Sequence, residues 1–124
     1  MTVIDADTHV DESESTWAKL EGTPYAKYIP LTVNLAPEEA KRAGFGLVNG
    51  RRWLVEDHLQ FRPMRDEINH PPRVRRELED VAGRVKQMDE MGIDVQVVFS
   101  TFFIRYSTGN AEAEWALTTT YNRW

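Results

Sequence analysis

The chain has 124 residues, of which 41% are hydrophobic, 28% charged and 10% aromatic, with a formal net charge of -5 and no cysteine. This suits one folded globular domain and excludes a disordered chain, disulfides and thiolate metal sites, while the acidic balance argues against a nucleic-acid partner. No apolar run approaches the ~20 residues of a membrane span, and Asp5 and Asp7 interrupt the start too early for a signal peptide, so a cytoplasmic protein with no membrane partner is expected.

In chain order, residues 2–7 (TVIDAD) alternate loosely and are rich in β-branched side chains, which predicts a short, largely buried strand. Asp5, Asp7 and His9 stand at alternate positions along it, and alternate strand residues share a face. From Ser13 to Lys41 the chain carries Gly22, Pro24, Pro30 and Pro37, with Glu38 and Glu39 after the last as in a helix's first turn. That segment reads as connection with short helical turns. Next comes a β-hairpin over about 44–57: Asn49-Gly50 suits a type I′ turn between Leu47-Val48 and Arg51 to Val55. Because a lone hairpin is marginal in water, it is expected to lie across one end of the domain, where it covers a site.

Leu78, Val81, Val85, Met88 and Met91 recur at spacings of three and four, which predicts one amphipathic helix from about Val74 to Met91, with Gly92 as its left-handed stop. A β-branched strand follows from Ile93 to about Phe99. A second helix opens at Asn110 as N-cap, with Glu112 and Glu114 in its first turn, and runs to Trp124. Helix and strand alternate, as in a parallel α/β architecture. Two principal strands leave open edges on both sides, so the chain is expected to be the beginning of a larger fold.

Two motifs carry a resemblance. DADTHVDE (5–12) has the form D-x-D-x-H-x-x-E, and RVKQMDEMGIDVQVVFST (84–101) contains R-x-x-x-M-D-E-x-G-I-D-x-Q-V; YNRW (121–124) closes the chain. In this order and spacing they resemble the amidohydrolase-related metal-dependent hydrolases and decarboxylases, relatives of the aminocarboxymuconate-semialdehyde and resorcylate decarboxylases. The resemblance implies a (β/α)8 TIM-type barrel with its active site at the C-terminal ends of the strands. Such barrels need about 200 residues or more, so 1–124 would be the N-terminal part of a single barrel domain. It would hold the first two βα units, with a hairpin insertion after the first strand.

The resemblance also implies a divalent metal site to which Asp7 and His9 contribute, one through oxygen and one through an imidazole nitrogen. Such a pair suits Zn²⁺, the first expectation, and Mn²⁺ as well. Asp-x-His in place of the commoner His-x-His resembles the decarboxylase branch, and further ligands would come from later strands. The reaction would be hydrolysis or non-oxidative decarboxylation of a small, carboxylated or aromatic substrate. Phe102 and Phe103 are candidates for the substrate wall and Arg105 for a carboxylate clamp, against the plainer readings of core phenylalanines and a solvated charge. Asp5 reads as hydrogen-bonded support. Glu12 is read equally as a loop or first-turn residue and as a catalytic one. His58 and His70 read as exposed loop residues, and Arg73, Arg75 and Arg76 as the solvated start of a helix balanced by Glu77, Glu79 and Asp80. The chain alone is expected to be inactive, and its open edges to bring self-association or association with the missing barrel portion. The competing reading is a stand-alone α/β interaction module in which the acidic strand end is structural.

Overall fold

A computed structural model describes residues 1–42, 51–61, 71–105 and 108–124. It is mixed α/β, with one parallel and one antiparallel sheet, and the chain divides into two compact units: residues 1–12 with 65–104, and 13–64 with 105–124.

The first unit is built on β1 (Ile4–Val10) and a strand formed ninety residues later, Val95–Ser100, which pair in parallel. The register runs from Ile4 against Val95 to Val10 against Ser100, and it slips once. Asp5 faces Gln96 and Thr8 faces Val98, so three steps on β1 match two on its partner. One residue is therefore extra, a bulge that breaks the alternation. The expectation that Asp5, Asp7 and His9 share a face is corrected here. The Thr8 hydroxyl donates to the Asp5 carboxylate, and Gln96 Nε2 does so at 3.2 Å, so Asp5 goes with Thr8 and not with Asp7.

Before the second strand of this sheet, the single helix expected over 74–91 is in fact broken. One turn spans Arg73–Arg76, Leu78 takes a left-handed φ of 53°, and a second helix spans Val81–Met91. The break has a local cause in Asp80, which turns back to cap the second helix, its Oδ1 accepting from Gly83 N at 2.8 Å. Meanwhile the Glu79 and Asp80 amides both donate to the Val74 carbonyl at 2.8 Å. Gly92 ends that helix at φ 69°, as its position predicted. The expected apolar stripe is not buried: Val81, Val85 and Met91 are exposed, as are Val95, Val97, Val98 and Phe99 on the strand.

Gly83 has a tight neighbourhood, since a Cβ there would stand 2.0 Å from Asp80 Oδ2 and 2.9 Å from Arg75 Nε. Alanine gains about 1 kcal/mol of helix propensity over glycine, but it must push away a cap worth about the same. Gly83→Ala is therefore expected to leave stability within about 1 kcal/mol of the parent. In a urea-melt double-mutant cycle, Asp80→Ala should cost about 1 kcal/mol in the parent and almost nothing in the Gly83→Ala background.

The second unit follows β1. The segment expected as connection contains two 3₁₀ helices, Glu14–Leu20 and Ala26–Tyr28, and also a strand that went unforeseen, β2 (Leu31–Asn34). Helix α1 (Pro37–Arg42) starts on its proline, where the missing N–H costs nothing. Two further strands, β3 (Arg51–Val55) and β4 (His58–Phe61), complete an antiparallel sheet of order β2-β3-β4. The turn expected at Asn49-Gly50 lies outside the described residues. β3 is a strand as expected, yet both of its edges are taken, by β2 (Leu31 against Leu54) and by β4 (Val55 against His58). A tight turn at Glu56-Asp57 joins β3 to β4, with Glu56 at a φ of 52°. Its carboxylate holds that conformation by accepting from Asn110 Nδ2 at 2.9 Å and from the Thr108 hydroxyl.

With the helices of the first unit numbered α2 (Arg73–Arg76) and α3 (Val81–Met91) and its second strand β5 (Val95–Ser100), the last element is α4 (Ala111–Tyr121). Asn110 caps α4 as expected, its Oδ1 accepting from Glu112 N at 3.0 Å and Ala113 N at 3.3 Å. The helix ends at Tyr121, earlier than expected, where the Arg123 and Trp124 amides tighten onto the Thr120 carbonyl at 3.0 and 3.1 Å. Ala113, Ala116, Leu117 and Thr120 form its buried face against the Glu14–Leu20 turn. The core of this unit is Trp17, Leu20, Tyr28, Trp53, Val55 and that helix face.

Candidate functional site

The C-terminal end of β1 is where the acidic residues of the opening motif are put to use. His9 stands opposite Phe99 in the register, with the two rings 6.1 Å apart. Its Nδ1 lies 2.8 Å from the Ser100 carbonyl oxygen. A carbonyl only accepts, so Nδ1 carries the proton and Nε2 keeps its lone pair in the neutral ring. That free nitrogen lies 3.6 Å from Asp7 Oδ1. Two donors bound to one ion at about 2.0–2.2 Å each stand about 3–3.5 Å apart, so the pair is close to the spacing a shared cation needs. The Asp7 side chain is 90% exposed and that of His9 36%, which leaves both accessible. Among the described residues no set of three or more His, Cys, Asp or Glu converges on one point. Among the described residues this stretch of β1 thus brings two side-chain donor atoms together, and the tautomer of one is fixed from behind by a backbone carbonyl.

Asp5 lies apart from this pair. It accepts from Thr8, from Asp7 N at 3.2 Å and from Gln96 Nε2, and these bonds, the Thr8 hydroxyl foremost, hold its carboxyl below the usual range. The network continues through Gln96 Oε1, which accepts from Arg84 Nε at 3.1 Å, while Arg84 Nη1 donates to the Arg75 carbonyl at 3.2 Å. Burial lowers the Arg84 pKa, opposed by the Asp5 charge. Asp5, Thr8, His9, Arg75, Arg84 and Gln96 border a cavity of about 240 Å³. Asp5 is thus hydrogen-bonded support, and it ties β1 to β5 and α3.

Of the two readings of Glu12, the structure favours the loop role. The residue is fully buried. Its carboxylate accepts from the backbone amides of Thr101 (3.3 Å), Phe102 (2.9 Å) and Phe103 (3.3 Å), the segment that follows β5. Burial nonetheless outweighs these bonds and raises its pKa. Neighbouring Asp11 forms a second clamp, its amide donating to the Arg76 carbonyl at 2.9 Å and its Oδ2 accepting from Arg76 Nε at 3.0 Å. Both side chains of this ion pair are about nine-tenths buried, which corrects the expectation that Arg76 is part of a solvated helix start. Arg73 and Arg75 do meet the expected acids, Glu77 at 2.9 Å and Asp80 at 3.5 Å. Asp11 was missed by sequence reasoning. Its only signal was a pair of adjacent acids after a strand.

Phe102 and Phe103 are half-buried, neither core nor open surface, and their backbone is fixed by Glu12. Arg105 is exposed and belongs to the second unit, so the three expected substrate residues do not share a unit. His58 begins β4 beside Asp57 at 3.2 Å, its side chain about half exposed, and His70 lies outside the described residues. Among the described residues no helix is long and apolar enough to cross a membrane.

Comparison of the chain with protein-family models, curated proteins and solved structures gives no match.

Proposed function

We propose that this chain is the N-terminal part of a metal-dependent enzyme of the amidohydrolase type, contributing Asp7 and His9 to a divalent metal site. The observation that carries the reading is the pairing of Asp7 Oδ1 with an imidazole nitrogen left free by the Ser100 carbonyl. It runs from the middle of β1 toward its C-terminal end, and in parallel α/β folds ligands bind at that end of the sheet. The parallel β1–β5 pair, with a helix on the path between its strands, suits the first two units of a (β/α)8 barrel. The ion would be Zn²⁺ or Mn²⁺, and when bound it would supply a polarised oxygen ligand or a carboxylate anchor. Asp7 and His9 would hold it, Ser100 would orient His9, and Glu12 would keep Phe102 and Phe103 in place beside a small carboxylated or aromatic substrate. Hydrolysis and non-oxidative decarboxylation share these groups. The same reading puts the protein in the cytoplasm, associated with a second copy or with the remaining strands of the barrel, and makes residues 1–124 alone inactive.

A second reading, a small interaction module without catalytic activity, draws support from the exposed valines and Phe99 of β5. Paramagnetic Mn²⁺ separates the two. Titrated into ¹⁵N-labelled protein, it should broaden the signals of residues 7 to 10 and of Ser100 first, and Asp7→Ala with His9→Ala should abolish that preference. Broadening spread evenly over the acidic surface would sink the metal reading.

A further inference from the structure

The second unit contains a cavity of about 340 Å³ with a chemistry of its own, at the lower end of the size range of small-molecule sites. Its floor is the buried Leu20 and Ala116. Its wall is Tyr25 against Trp115, ring centroids 5.4 Å apart and edge to face. Trp115 is 58% exposed although it belongs to α4, a helix whose other large apolar residue, Leu117, is buried. An indole met edge to face by one tyrosine and still 58% exposed offers a stacking surface to a further ring.

The polar lining has one sign. Lys19 and Arg123 border the cavity, and no Asp or Glu is among the described residues that line it. Lys19 Nζ donates to the Arg123 carbonyl at the end of α4, which places the ammonium beside the mouth, and no carboxylate of the described residues pairs with either cation. Two unneutralised cations at one apolar cavity stand out in a chain whose net charge is -5. A neutral apolar guest would leave both of them unused, whereas a planar aromatic anion would stack on Trp115 and set its carboxylate between the ammonium and the guanidinium.

From this juxtaposition we infer that the cavity between the Glu14–Leu20 turn and α4 binds a small aromatic carboxylate, with Trp115 as the stacking face and Lys19 and Arg123 as the anion contacts. Every residue it uses lies in the second unit, whereas Asp7 and His9 lie in the first.

Naphthoate and its uncharged analogue naphthamide test it on the intact chain, with the indole N–H resonance of Trp115, assigned through Trp115→Phe, as the readout. Naphthoate is expected to shift that resonance and to bind at least about tenfold more tightly than naphthamide. Lys19→Ala with Arg123→Ala should bring the two ligands to equal affinity. Should the double variant lose its spectral dispersion, the naphthoate-to-naphthamide ratio on the unaltered chain decides by itself. Equal binding of the two probes to the parent overturns the anion contacts, and an unmoved Trp115 resonance at millimolar naphthoate overturns the site.

Discussion

Glu12→Ala is expected to destabilise the first unit by about 2–4 kcal/mol, the summed effect of lost charge-assisted bonds and of amides left without an acceptor. Thr101, Phe102 and Phe103 all donate to this one carboxylate, and the side chain is fully buried, so no water can take over from within the packed interior. Urea melts read the loss directly, and a change below about 0.5 kcal/mol, the range of an ordinary surface substitution, would show that the segment holds itself. Glu12→Gln adds a pH test with a definite sign. Burial raises the folded-state pKa of Glu12 above the ordinary 4.5. Between that ordinary value and the raised one, the folded chain keeps a proton that the unfolded chain has released, so this residue's contribution falls as pH rises through the window and is fully present below it. The parent's advantage over Glu12→Gln should therefore be largest in acid and shrink toward neutrality. Asp5 acts in the opposite sense, because its pKa is lowered: its contribution is present above the ordinary 3.8 and is lost as pH falls through the folded value. A parent and variant whose difference is flat with pH would remove the buried-charge account of Glu12.

The second large effect belongs to the tryptophan pair of the other unit. Trp53 is wholly buried on β3, and Trp17, 1% exposed, meets it edge to face with centroids 6.5 Å apart. Truncating either to Ala removes a large buried side chain and leaves a void, at a cost of about 3–5 kcal/mol. Set against a total stability of about 5–15 kcal/mol for a domain, Trp53→Ala should lower the urea midpoint severely. The double variant should fall short of the sum by about 0.5–1.5 kcal/mol, the energy of the ring contact itself. Strict additivity would mean that the two indoles are held by the surrounding core and not by each other.

The features legible in the sequence are those with local causes. Pro37 opening α1, Gly92 stopping α3, Asn110 capping α4 and the β-branched run of β5 each rest on one residue's backbone preference or on a short pattern, and each is found where it was expected. What was not legible depends on distant partners. The bulge in β1 is visible only once β5 supplies a register, and the break at Leu78 only once Asp80 turns back to Gly83. The turn at Glu56-Asp57 lacks the glycine or asparagine that marks such turns, because Thr108 and Asn110 hold it from more than fifty residues away. For the candidate site the division is the same. Asp7 and His9, which the resemblance singles out, stand two residues apart, with Oδ1 and Nε2 3.6 Å from each other, whereas the Arg76 clamp on Asp11 and the hold of Glu12 on the amides after β5 join residues far apart in the chain.

The pairing of Ile4 with Val95 also sets an order of events during synthesis. At about 5–20 residues per second, β1 leaves the ribosome roughly 5–20 seconds before β5 exists. For that interval a β-branched segment is without its partner, the condition under which nascent strands join the wrong neighbours. Asp5, Asp7, Asp11 and Glu12 space negative charge along and just past this waiting segment, and their mutual repulsion hinders two such strands from meeting. The acids of the opening motif thus oppose such mispairing before Arg76, Gln96 and the amides after β5 have been made.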